Sequence, residues 1–450
     1  MRIKDENGCG MTMQFRVSRD EIRLRLAQHD IFADIMLDHH LLPTEIWLEI
    51  LDFATTSHEP LPMNTPFSPL PDYRVDPNLR VRATLIAVCR TWQRWVAQSL
   101  YKDIKISNNG AHGLMDVLQK CPDQTETKYG EMVGSFVFWR NMSAWTRSSS
   151  LQVRRIVLPY QSTGPSRALQ SLEILKLCPN IQTLQRPLHP ITDTLRFDYD
   201  TDIVTLSSLE RLEWWHHNEA ERSGGINSLG VVLRSAPRLR YLFIGGVVSG
   251  DYICMLPGPT NLSFLETIRL CVRSGSLLRQ IVSRWSLPSL THVILDSPLV
   301  REGSEIIWET FGDQLKVVEF GKHVRFLASD SLSSCLRSCP NLQELNFYVF
   351  FASPLEAAFH HPKLTSVGLH AHVNGMLVEG GSAWNLIEHH FEVLYGSNLP
   401  ALKQIMLHGD WRPILNHHRF RGIKEKLLGS RRSLEIWNKT GIVSLMDGSQ

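Results

Sequence analysis

Nineteen histidines and eight cysteines are the side chains of this 450-residue chain whose types could hold a metal or serve as base and nucleophile. Five pairs of histidines are adjacent, among them His216-His217 and His389-His390. Neighbours on a strand or a helix point apart, so such a pair cannot share an ion without ligands from elsewhere. His370 and His372 would share one face of an extended segment, with no third ligand evident. Cys335 and Cys339 stand one helical turn apart, but no second Cys or His pair completes a zinc site, and both are expected to be buried thiols. The sequence holds no G-x-S-x-G elbow, no G-x-x-x-x-G-K-S/T phosphate loop, no H-E-x-x-H and no G-x-G-x-x-G after a strand. The expectation is a protein without catalysis, metal or cofactor.

What remains is chemistry of binding. Arg211, Glu213, Trp215, Tyr241, Phe243, Arg269, His292, Glu344 and Tyr348 are polar and aromatic residues spaced so that a repeating element would carry them on one surface. That element is a six-residue pattern, L-x-x-L-x-L with conservative replacements. It is found as VRRIVL (153–158), LERLEW (209–214), LRYLFI (239–244), LETIRL (265–270), LTHVIL (290–295), LKVVEF (315–320), LQELNF (342–347), LTSVGL (364–369) and LKQIML (402–407). A degenerate copy, IQTLQR, lies at 181–186, and VGSFVF at 133–138 is a candidate early one.

From 153 onward the first positions are separated by 28, 28, 30, 26, 25, 25, 27, 22 and 38 residues. Most fall in the roughly 20–29 residues of a leucine-rich repeat, which the pattern resembles. The last gap points to an insertion around 371–384. Apolar fourth and sixth positions alternate with period two and make each copy a short strand. A proline two residues before the first position, at Pro179, Pro237, Pro288, Pro340, Pro362 and Pro400, ends the preceding amphipathic stretch and leads into the strand. Helix, proline and strand thus recur. The Asn or Cys usual two residues past the sixth position is mostly missing, as at His217, Val247 and Pro298, so a less regular curvature is expected.

Ahead of the repeats, the helical pattern after Pro43 places Ile46, Trp47, Ile50 and Leu51 in one apolar stripe. Residues 57–78 hold six prolines and are expected to form a protease-sensitive loop with little to bury apart from Phe67. Helical period then returns, with Val81, Leu85, Val88, Trp92 and Trp95 on one face.

These N-terminal elements resemble the F-box. Leu42-Pro43-Thr44-Glu45-Ile46 matches its opening, Ile50-Leu51 its apolar pair, Val88-Cys89-Arg90-Thr91-Trp92 its centre and Leu100-Tyr101 its close. The proline-rich loop lengthens the gap between opening and centre, which costs little because loop closure rises only logarithmically with length. Together with the irregular repeats behind it, the arrangement is similar to the F-box families of basidiomycete fungi. The resemblance implies binding to the Skp-type adaptor of an SCF, or cullin-RING, ubiquitin ligase. Leu42, Pro43, Ile46, Ile50, Leu51, Val88 and Trp92 would be the adaptor-binding residues. Leu42, Pro43 and Ile46 lean towards the interface, Val88 and Trp95 towards a local core.

The expected architecture is α/β: a flexible arm at 1–40, a small helical F-box domain at 41–106 with its insertion at 57–78, an irregular leucine-rich-repeat-like solenoid at 107–435, and a tail at 436–450. The sheet would lie on one face and the helices on the other. Apolar residues make up 43% of the chain and charged residues 20%, as in ordinary globular proteins. A formal charge of +2 gives no field to hold nucleic acid or an anionic membrane. The opening MRIKDENGCG is not followed by the apolar run of a secretory signal, so a cytoplasmic or nuclear protein is expected, with thiols kept free. In each repeat the third, fifth and seventh residues point away from the core. They form the expected surface for a target protein, with Trp215, Tyr241 and Phe243 within side-chain reach of one another. The alternative is that the N-terminal segment, the C-terminal segment or the 371–384 insertion folds over them.

Overall fold

The computed structural model describes residues 43–55, 65–71, 78–89, 91–92, 95–96, 103–106, 114–115, 154–158, 168–188, 205–217, 221, 224–246, 259–272, 275–296, 301–322, 331–355, 360–371, 381–438 and 441–446. The expected N-terminal arm, Leu42, His372, Leu100-Tyr101 and the candidate copy at 133–138 lie outside them. No helix among the described residues is long and apolar enough to cross a membrane. The chain divides into two compact units, Met1–Ala54 and Thr55–Gln450.

In the first unit, α1 (Thr44–Thr55) starts on the Pro43 carbonyl, which accepts the N–H groups of Ile46 and Trp47 at 3.1 and 3.2 Å. Its apolar residues split between two sides. Trp47 and Leu51, one turn apart, are buried, while Ile46 and Ile50 are 40% and 44% exposed. Leu51 therefore belongs to the buried side of the helix, a correction to its place among the adaptor-facing residues. A helix turns 100° per residue, and Leu51 follows Trp47 by four positions rather than Ile46.

In the second unit, α2 (Asn78–Val88) buries Arg82 and Ile86 and leaves Val81 and Val88 exposed. The buried side is turned by one residue from the expected stripe, because Arg82 points inward and donates from Nε to the Thr55 carbonyl at 2.8 Å. Val88, expected to lean towards a core, is 58% exposed. Trp92 and Trp95 are half-buried.

The repeats build one sheet. Its strands are β1 (Asp103–Lys105), β2 (Arg155–Val157), β3 (Thr183–Arg186), β4 (Arg211–Trp215), β5 (Tyr241–Gly246), β7 (Thr267–Val272), β9 (His292–Leu295), β10 (Val317–Phe320), β11 (Glu344–Tyr348), β12 (Ser366–Ala371), β13 (Gln404–Gly409), β14 (Ser433–Asn438) and β15 (Gly441–Met446), in that spatial order. A separate short pair joins β6 (Thr260–Asn261) to β8 (Trp285–Ser286). Every neighbouring pair in the large sheet is parallel except β14 with β15. The ten copies from 153 to 407 each give one strand, in unbroken register: Arg211, Tyr241, Thr267, His292, Val317, Glu344, Ser366 and Gln404 stand side by side.

Why this works is visible in the first, fourth and sixth positions. Leu239, Leu242 and Ile244, or Leu342, Leu345 and Phe347, are buried with the helices α3 (Ala168–Leu177), α4 (Leu229–Ser235), α5 (Gly275–Arg284), α6 (Arg301–Phe311), α7 (Ser331–Ser338), α8 (Gly381–Tyr395), α9 (Arg412–Leu415) and α10 (His418–Gly429) in one continuous core. One repeat alone could not bury both of its faces; stacking does it. Between neighbours, the carbonyl of each second position accepts two N–H groups from the next repeat. Arg240 O takes Glu266 and Thr267, and Lys316 O takes Gln343 and Glu344. The six prolines are exposed, each just ahead of the strand of its repeat.

Three boundaries differ from expectation. The sheet begins at β1, inside the span assigned to the helical module, because Ile104 and Ile106 alternate as the repeat positions do and are buried. It runs on through β14, which crosses the expected boundary at 435, and through β15 in the expected tail, with Leu434 buried and Ile436 packed against the core. The long gap before LKQIML is largely taken up by the 15-residue helix α8.

Candidate functional site

The face of the sheet opposite the helices carries the third, fifth and seventh positions, and there the expected binding residues do come together. Trp215, Tyr241 and Phe243 form one cluster, with the Trp215 and Phe243 ring centroids 5.1 Å apart. Gly245 makes this possible: a Cβ there would lie 2.6 Å from the Trp215 ring, so only glycine lets the indole fold across β5. The Arg211 guanidinium sits 3.9 Å from the centre of the Tyr241 ring and donates to Glu213 at 2.7 Å. Glu213 also accepts from Gln185, whose carbonyl oxygen takes Arg155 at 2.8 Å. Farther along, Arg269 pairs with Asp296, and Glu344 accepts from Asn346 at 2.7 Å.

They are not, however, an open surface. Glu213, Trp215, Tyr241, Phe243, Arg269, His292 and Tyr348 are all buried, and only Arg211 and Glu344 are half-buried. Part of the cover comes from the N-terminal segment, one of the alternatives that the sequence left open. It is residues 65–71, Thr-Pro-Phe-Ser-Pro-Leu-Pro, from the loop expected to have little to bury. This correction has a simple cause: Phe67 and Leu70 are apolar enough to seek the aromatic residues of the sheet, and neither periodicity nor composition shows a contact across so many residues.

The strap is held by its backbone and by two side chains. The Phe67 N–H donates to Glu319 Oε2 at 3.0 Å. Arg269 donates to the carbonyls of Ser68, at 2.8 Å, and Pro69, at 3.2 Å. The Phe67 ring enters a box of Tyr348, His370 and His408, at centroid distances of 5.1, 5.0 and 4.9 Å. Leu70 packs against the Trp215, Tyr241 and Phe243 cluster. Phe67 adopts a φ of 58°, a left-handed conformation that costs a non-glycine residue about 1–2 kcal/mol and persists because both its N–H and its ring are engaged.

Electrostatics follow from this cover. Burial pushes the Glu319 carboxyl up to about 8, against the opposing pull of the Phe67 N–H and the Arg269 charge. Burial also opposes the charge of Arg269, but Asp296, Tyr241 and Glu319 together outweigh it and hold the guanidinium above its ordinary value. His292 is pushed down to about 4 by burial and then by Arg269, and His408 to about 4 by burial and then by His370. Gly321 leaves the space that the Asp296 carboxylate occupies beside Arg269; a Cβ there would collide with it.

Glu319, Asp296, Asn346 and His408 belong to this site and were not singled out from sequence, and His370, which also belongs to it, was weighed there only as a metal ligand with His372. The signal was present: Glu319 and Asn346 are fifth positions, and Asp296, His370 and His408 seventh positions, of copies already recognised. The other chemical candidates have structural surroundings. Cys335 and Cys339 are buried with their sulfurs 4.0 Å apart, and His390 contacts the Ala352 carbonyl at 3.2 Å. Among the described residues no group of three or more His, Cys, Asp or Glu side chains is arranged to hold a metal.

A scan of protein-family models and a search of curated proteins return no match. Among solved structures, the chain is similar to the leucine-rich repeat-containing protein LegL7 from Legionella pneumophila, at 12% identity and a TM-score of 0.29, over 65% of this chain and 86% of that one.

Proposed function

We propose that the protein is the substrate-recognition subunit of an SCF-type ubiquitin ligase, its F-box-like segment binding a Skp-type adaptor and its repeats capturing a target protein. The observation that carries this reading is where the molecule leaves apolar side chains in water. Nine large hydrophobic residues are exposed among the described residues; four of them, Ile46, Leu48, Ile50 and Phe53, lie on the single helix α1 of the first unit, and Val81 and Val88 lie on α2 of the second. Phe53 is 89% exposed. Apolar residues concentrated in this way on soluble proteins mark interaction surfaces. Three of them, Ile46, Ile50 and Val88, are at positions where the sequence matches the F-box pattern.

A repeat solenoid suits the second half of the task. Its sheet offers many residues on one face, fixed in register, to a protein ligand. The test is co-purification of the full chain with a Skp-type adaptor. Changing Leu42 and Pro43 to alanine should weaken adaptor binding at least tenfold, about 1.4 kcal/mol, with the solenoid still folded. Unchanged co-purification of that double variant would point instead to a repeat scaffold that works outside ubiquitination.

A further inference from the structure

We propose that residues 65–71 are a built-in stand-in for the ligand of the sheet face, and that this face binds a proline-containing peptide that turns at an aromatic residue and carries an aliphatic one three positions later. The inference deepens the capture half of the function proposed above. It is read by peptide binding and not through the adaptor, so either can fail without the other.

Four observations carry it. First, the strap is laid on the sheet and not packed within it: none of its seven residues is buried, and Pro69 is exposed. The groups beneath it are buried ionisable side chains, Arg269 at 3% and Glu319 at 1% exposure. A closed apolar core would not place an arginine and two carboxyl groups, Asp296 and Glu319, at its centre, because buried polar groups are costly unless each has a hydrogen-bonding partner. Main-chain amide and carbonyl groups of a bound peptide are partners for them.

Second, the contacts divide as peptide recognition does, into a backbone clasp and side-chain pockets. Arg269 and Glu319 hold only main-chain atoms of Phe67, Ser68 and Pro69, contacts that any peptide could make. Selectivity lies in two places: the box of Tyr348, His370 and His408 for an aromatic ring, and the Trp215, Tyr241 and Phe243 cluster for an aliphatic side chain.

Third, Pro66, Pro69 and Pro71 carry no N–H to satisfy, and Pro66 sits at the second position of the turn that the Ser68 N–H closes on the Thr65 carbonyl at 3.3 Å, where its fixed φ lowers the entropy lost on docking. Fourth, Phe67 is held at a φ of 58°, a conformation it would relieve on leaving. A tethered segment presents an effective concentration of the order of millimolar. Ligands must therefore displace it, and weak ones are kept out.

The experiment uses the full chain with residues 65–71 replaced by the same number of Gly and Ser residues, and a fluorescent peptide of the chain's own sequence 63–73. The emptied variant should bind the peptide saturably, and wild type at least tenfold more weakly, because its own strap competes. Peptides carrying Phe67→Ala or Leu70→Ala should each lose at least tenfold. A second variant, with Phe67→Ala and Leu70→Ala in the chain, should also gain peptide binding. Three results would overturn the proposal: folded variants that ignore the peptide, equal affinity for the Phe67→Ala peptide, or loss of cooperative unfolding in both variants, which would make the strap part of the core.

Discussion

Arg269 joins the sheet to the strap, and its surroundings determine what removing it would do. Its guanidinium is buried between Asp296 and the carbonyls of Ser68 and Pro69. Replacing one partner of a buried ion pair leaves the other charged and unsatisfied, which costs about 3–5 kcal/mol. Arg269→Met should therefore lower the unfolding free energy by about 3 kcal/mol in urea titration. Arg269→Met with Asp296→Leu should recover a good part of that loss, since no orphaned charge remains. Strictly additive losses would show that the pair does not act as a unit. Sequence reading had singled out Arg269 as a fifth-position residue but not its partners. Asp296 is a seventh-position residue by the same rule, whereas the strap carbonyls come from Ser68 and Pro69, about two hundred residues earlier.

The strap itself is an element whose docking should depend on pH. In water a glutamate titrates near 4.3; beneath the strap, burial lifts Glu319 to about 8, among Arg269, Asp296, Glu344 and the Phe67 N–H. Folding of this site thus takes up a proton across that interval, docking shares in it by as much of the burial as the strap supplies, and the favourable contribution of the protonated carboxyl is lost as pH rises through about 8. His408 works the other way. Pushed down to about 4 by burial and by His370, it must give up its proton for the strap to dock, and this opposes docking below its ordinary pKa of about 6.5. Docking should be tightest near pH 6.5 and loosen above it through Glu319, by up to about tenfold per pH unit. Chymotrypsin cleavage after Phe67 should rise from pH 6.5 to 8.5 relative to the Glu319→Gln variant measured in parallel; equal rates in both proteins would contradict this. The strands could be read in the sequence and the strap could not, for one physical reason. Each strand is encoded within six residues, such as LQELNF, by alternation that burial demands. The strap's order comes from partners far away, such as Glu319 for Phe67, and its prolines describe only its local backbone. The same contrast holds for α2, where Arg82 takes the inward position that a rule of apolar spacing gives to Val81.

At the scale of the whole molecule, the solenoid keeps its sheet face occupied while α1 and α2 leave Ile46, Ile50 and Val88 in solvent. On the function proposed above, the exposed apolar residues would serve the adaptor, and the sheet face would be released when a target displaces the strap. The span and order of the repeats were legible because they are periodic. The ends of the sheet were not, since β1 shows the alternation only at Ile104 and Ile106 and β15 runs antiparallel, so that pairing with β2 and β14 is what places them in it. The reading as a ligase subunit rests on the adaptor-facing residues, and calorimetric titration of the full chain with a purified Skp-type adaptor tests it most directly. It should give saturable binding at one adaptor per chain, lost in Ile46→Asp with Ile50→Asp, while the strap-emptied form of that variant still binds the 63–73 peptide. No heat of binding from a folded wild-type chain, or the same affinity in the double variant, would contradict it.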